Sequence, residues 1–140
     1  MSWKGRSRRP DLDIPQGGPL KYVILIHGNP ASRAAWARLS QSERQSGLEA
    51  YQALTRTLAA SGELLAAEAL DDPGTGRRLP ATTPGFVTDG PYAEAKEFIA
   101  GFLLVDVPTL DRALEIAAQV PEADLGLVEV RPAKDLRAFL

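Results

Sequence analysis

Two stretches of this chain, KYVILIH at residues 21–27 and FIAGFLLVDV at 98–107, are apolar almost without a break and rich in β-branched and aromatic side chains. A strand with one wet face alternates apolar and polar residues, so runs like these are expected to be strands buried on both faces. In the first run, Tyr22, Ile24 and Ile26 point one way, and Val23, Leu25 and His27 point the other. Each strand therefore needs cover on two sides.

The chain between and after these runs supplies cover for one. Ser40-Gln41-Ser42-Glu43 fits a capping box, and Leu48, Tyr51, Leu54 and Leu58 follow at helical spacing until Ser61-Gly62. This predicts a helix over 42–61, in which Gly47 costs about 1 kcal/mol relative to alanine. Residues 63–70 lie between that stop and an Asp-Asp-Pro-Gly turn, which predicts a second strand. A short edge strand at 77–79 and a returning arm at 85–88 are expected next. After the 98–107 strand, Thr109 is read as the cap of a second helix whose stripe is Leu110, Ala113, Leu114 and Ala117. Pro121 ends it, and 125–130 reads as the last strand. Asp106, at the polar end of its strand, reads as a further cap for that helix.

The order is β-α-β-β-α-β, an α+β, ferredoxin-like arrangement with two helices on one face of an antiparallel sheet. The second apolar face then stays bare, a patch too large for a monomer. It is expected to pack, sheet on sheet, against a second copy in a homodimer.

A chain of 140 residues is the size of one domain. That domain is placed at 21–133, between a flexible N-terminal tail at 1–20, dense in Pro and Gly, and a C-terminal tail at 134–140. The N-terminal segment opens with Lys4, Arg6, Arg8 and Arg9 but has no apolar core behind them, so it does not read as a secretory signal. No run of about 18 apolar residues offers a membrane span. The expectation is a cytoplasmic protein with no membrane partner. A net charge of −2, from 16 basic and 18 acidic residues, argues against nucleic acid as a partner. With no cysteine and one histidine, thiolate metal sites, cysteine nucleophiles and two-histidine mechanisms drop out. No spacing suggests a metal site or a cofactor loop.

YVILIHGNPASRAAW resembles the first strand and oxyanion loop of α/β-hydrolases. The likeness ends there, because the chain has no G-x-S-x-G elbow and no second histidine. A more specific likeness lies at 87–97, where V-T-D-G-P-Y-A-E-A-K-E resembles the V-T-D-G-P-F-A-E-T-K-E signature of the DGPF subgroup of the YCII-related family. KYVILIHG, SGELLAAEAL, GFLLVDVPTLDRALEIAAQVP and VEVRPA agree with it, so the likeness runs from about residue 21 to 133. Tyr92 stands where the family has Phe, and Ala95 where it has Thr, which removes a hydroxyl. The resemblance implies a dimeric α+β barrel or a back-to-back sheet dimer. Some YCII-type proteins are thought to use a His–Asp pair, one branch eliminates chloride from chlorinated hydroxyquinols, and DGPF domains occur beside sigma-factor regions.

His27, at the end of a buried strand, is either a general base or a hydrogen-bonded core histidine. Asp89 either orients His27 or caps its own turn, and the two roles are compatible. Gly90 and Pro91 shape that turn, and Tyr92 either lines a pocket or simply packs. Lys96 is read as the mouth of a cleft that attracts an anion, or as part of a solvated face with Glu94 and Glu97. Trp36 either covers the pocket or anchors its loop. Two functions follow. One is a small-molecule-binding or regulatory module. The alternative is a small enzyme, of hydrolase or dehydrochlorinase type, in which the His27–Asp89 pair moves a proton.

Overall fold

The computed structural model describes residues 20–86 and 96–139. Strand β1 (Leu20–Gly28) leads into helices α1 (Pro30–Arg38) and α2 (Gln41–Ser61), then strand β2 (Leu64–Ala69). Strand β3 (Phe98–Val107), helix α3 (Leu110–Ala117) and strand β4 (Val128–Pro132) follow. The four strands form one antiparallel sheet in the order β2-β3-β1-β4. The two apolar runs are thus the central pair, as their two-sided hydrophobicity demands.

The capping box of α2 is present. Ser40 Oγ accepts from the Glu43 amide, and Glu43 accepts from the Ser40 amide at 2.8 Å. Gly62 ends the helix with φ of +82°, a left-handed angle suited to glycine. Leu54 and Leu58 enter the core beside Tyr22, Ile24, Ile26, Leu103, Val105 and Val107. Thr109 caps α3 by accepting from the Arg112 amide at 3.1 Å, so Asp106 has no capping role.

Several expectations need correction. The segment PASRAAWAR, where the sequence predicts no helix, is the helix α1. It is capped by a reciprocal Asn29–Ser32 box, carries proline in its first turn, and buries none of its residues. Among the described residues there are therefore three α-helices, a departure from a strict two-helix ferredoxin-like plan. The buried stripe of α3 is Ala113, Ile116 and Ala117, while Leu110 and Leu114 are about half-exposed. Its i, i+3, i+4 spacing is right, but the helix is turned by roughly one position. No strand forms at 77–79, where Leu79 is 88% exposed, because the outer edge of β2 has no described neighbour there. The last strand begins at Val128, after a 3-10 turn at Pro121–Leu125 that Gly126 closes with φ of +72°. Of the returning arm at 85–88, residues 85 and 86 are not in a strand and the rest lie outside the described residues. At 134–139 the chain makes a 3-10 turn over Leu136–Phe139, with Asp135 buried and bound by Arg137.

The second face of the sheet is visible in the register. Val23 lies opposite Leu104, Leu25 opposite Phe102, and Lys21 opposite Asp106. These apolar side chains are half-buried, whereas their neighbours on the helix-covered face are nearly inaccessible. Among the described residues, no helix is long and apolar enough to cross a membrane.

Candidate functional site

Strand β1 ends in an irregularity. Its register with β3 shifts between Ile26 and His27, so that Ile26 faces Gly101 while His27 faces Ile99. Such a bulge re-aims the side chain beside it. At the next residue, a Cβ on Gly28 would sit 2.7 Å from the ring of Phe98, so glycine lets that ring close over the strand end. Asn29 then starts α1 at once, which brings Arg33 and Trp36 alongside.

Glutamates from two other strand ends approach His27. Its Nε2 lies 3.1 Å from Glu129 Oε1, and its Nδ1 lies 4.0 Å from Glu97 Oε1. An ionised carboxylate can only accept, so Nε2 carries the proton and Nδ1 is left toward Glu97. Glu129 is bound by Arg131 as well, at 2.8 Å. The Arg131 guanidinium first, and then the imidazole, hold the Glu129 carboxyl below the usual glutamate range. The trio can orient an imidazole and keep negative charge beside it, as a general base or a hydrogen-bonding ligand anchor requires.

His27 lines a groove of about 760 Å³ between α1, α2 and the segment after β2. Trp36, Leu48, Leu70 and Phe98 are among its apolar lining. The Arg33 guanidinium lies 5.4 Å from the centroid of the Phe98 ring and is ion-paired with Asp72. Arg44 of α2 holds the end of α1, donating to the carbonyls of Trp36 and Ala37 at 3.1 and 2.9 Å. Its guanidinium lies over the Trp36 ring at 5.8 Å. Deeper along α2, the Tyr51 hydroxyl donates to Glu122. Burial first, then the bond to Glu122 and its charge, push the Tyr51 phenol well above the ordinary tyrosine range. Arg33, Leu70, Asp71, Asp72, Pro73 and Phe98 also wall a second cavity of about 560 Å³, so the two are continuous neighbours.

Of the residues singled out from sequence, His27 and Trp36 meet in this groove. Lys96 is exposed and does not line it. Asp89, Gly90, Pro91 and Tyr92 lie outside the described residues. The sequence assigns no site role to Glu129, Arg33, Tyr51 or Glu122, and Tyr51 reads there only as part of a helix stripe. Glu129 had a signal: once the first and last strands are paired, a glutamate in VEVRP falls diagonally across from His27. Among the described residues, no group of three or more histidines and carboxylates is arranged to hold a metal ion.

The profile of the YCII-related domain matches residues 20–137. An uncharacterized protein of Rhizobium meliloti is 32% identical over 123 residues, which span 79% of this chain and 90% of that protein.

Proposed function

The chain belongs to the YCII-related domain family, and from that premise we propose that it is a small-molecule-binding module, built as a homodimer, whose ligand occupies the groove at the end of β1. The observation that carries this reading is the groove itself. It is pocket-sized and walled by aromatic and aliphatic side chains, with one oriented imidazole at its margin. Asp89, with Gly90, Pro91 and Tyr92, is assigned to the same site, and the chain to the DGPF branch, on the resemblance of residues 87–97. A ligand that binds only the folded state raises its melting temperature. A thermal-shift screen of compact aromatic compounds should yield hits that Trp36→Ala weakens. Hits indifferent to Trp36 and His27 would overturn the assignment.

The homodimer reading is supported by the half-buried Val23–Leu104 and Leu25–Phe102 pairs. It is supported too by Asp106, whose Oδ1 is buried without a hydrogen-bond partner among the described residues. A buried carboxylate oxygen in that state is costly, and a second copy meeting this face would offer it a donor.

A second reading, favoured by the 3.1 Å contact between His27 and Glu129, is proton transfer. There Glu129, together with Asp89, would orient His27 as the base. It requires His27→Ala to abolish turnover of a hydroxylated or halogenated compound while the fold persists; unchanged turnover ends it.

A further inference from the structure

Taking the groove to be the ligand site, as proposed above, we infer that its ligand is a small organic cation, an amine carried on an apolar or aromatic body. Among the described residues that line the groove, four carry carboxylates, Glu43, Asp71, Asp72 and Glu122, and one carries a guanidinium, Arg33. Arg33 is already engaged by Asp72. Glu43 is fixed in the cap of α2 by hydrogen bonds from Ser40, which hold its carboxyl below the usual range and so keep it charged. Half-buried Glu122 receives its hydrogen bond from the Tyr51 phenol, a neutral group that brings no compensating charge.

Between these carboxylates the walls are apolar and aromatic. An anion entering would meet a surplus of negative charge, and a neutral guest would gain nothing from it. An ammonium group is attracted by the carboxylates, while its hydrocarbon part covers Leu48 and Phe98.

Three probes of nearly equal shape separate the possibilities: phenethylamine, 2-phenylethanol and 3-phenylpropanoate. Each is titrated into the full chain while the side-chain NMR signals of Trp36 and His27 are followed. The amine should bind about tenfold tighter than the alcohol, with the carboxylate weakest. Glu122→Gln, which keeps an acceptor for Tyr51, should weaken the amine several-fold and leave the alcohol unchanged. Asp71→Asn, in the exposed segment after β2, should act the same way and carries the test if the first variant folds poorly. Equal binding of the three probes, or a preference for the carboxylate, overturns the cation assignment and leaves the groove as a ligand site. If none of them moves either signal, the groove reading itself fails.

Discussion

Replacing Gly101 with alanine tests how closely β2 is drawn against β3. Gly101 is buried in β3, with Ile26 opposite it on one side and Ala69 on the other. A Cβ there would lie 2.8 Å from the backbone oxygen of Glu68 and 3.3 Å from the Ala69 Cα. Ordinary van der Waals contact begins at 3.4 Å, so the carbonyl must retreat by about 0.6 Å. Both atoms are backbone, and the segment is pinned by the Leu70 amide donating to the Ala100 carbonyl at 2.8 Å. Overpacking of this kind costs about 1–3 kcal/mol. Loss of glycine's flexibility in the unfolded chain returns about 0.5–1 kcal/mol. The midpoints of these ranges leave a net destabilisation of about 1 kcal/mol, which for a domain of this size lowers Tm by about 3–5 °C. Thermal unfolding followed by circular dichroism reads the change directly. An unchanged or raised Tm, with the native spectrum intact, would refute the argument that this strand approach requires a missing side chain.

Gly47→Ala should do the opposite. The new Cβ meets the Trp36 ring at 3.9 Å, an ordinary contact, so helix propensity dominates and stability rises by about 0.5–1 kcal/mol in urea unfolding. Glu63 grips Arg112 of α3 through two bonds of 2.7 and 2.9 Å. Those bonds first, then one from Ser61, lower its carboxyl from 4.5 to about 2. A depressed carboxyl stabilises the fold above its unfolded value and loses that contribution as pH falls toward its folded value. Glu63→Gln should therefore cost about 1–2 kcal/mol at pH 7, with the gap to the wild type closing between about pH 4.5 and 2. A gap that persists at pH 2 would contradict this. Leu25→Glu, on the half-buried face of β1, should convert a particle of twice the chain's 15.0 kDa into a monomer by light scattering; a wild type already at 15.0 kDa would end the dimer proposal. Gly28→Ala displaces only the far end of the Phe98 ring, so it should change ligand affinity more than Tm, as parallel binding and melting curves would show.

The parts of the fold that were readable in advance are those with strong periodicity. The run at 98–107 is β3 to the residue, and the Ser40–Glu43 box and Gly62 bracket α2. Helix α1 escaped because it has no apolar stripe to read: it buries no residue, and only Asn29 and Pro30 marked its start. In α3, two leucines outweighed Ile116 in the reading, although the smaller Ala113 and Ala117 lie against the sheet and the leucines face outward. The 77–79 segment, Arg-Arg-Leu, lacks the β-branched and aromatic residues that favour a strand, and it forms none in the described structure. At the site, His27 stood out as the chain's single histidine, while its nearest partner did not. A glutamate in a strand reads as solvent-facing until pairing shows that it shares a face with the imidazole.

The most direct test of the account follows the His27 and Trp36 side chains together by NMR during titration with the strongest compound from the thermal screen. His27 is the chain's only histidine, so its ring signals need no sorting. Both rings should respond with one common, saturable affinity, and Glu129→Ala should weaken it. A compound that binds while His27 and Trp36 stay unmoved would place the ligand elsewhere and contradict the assignment of the groove.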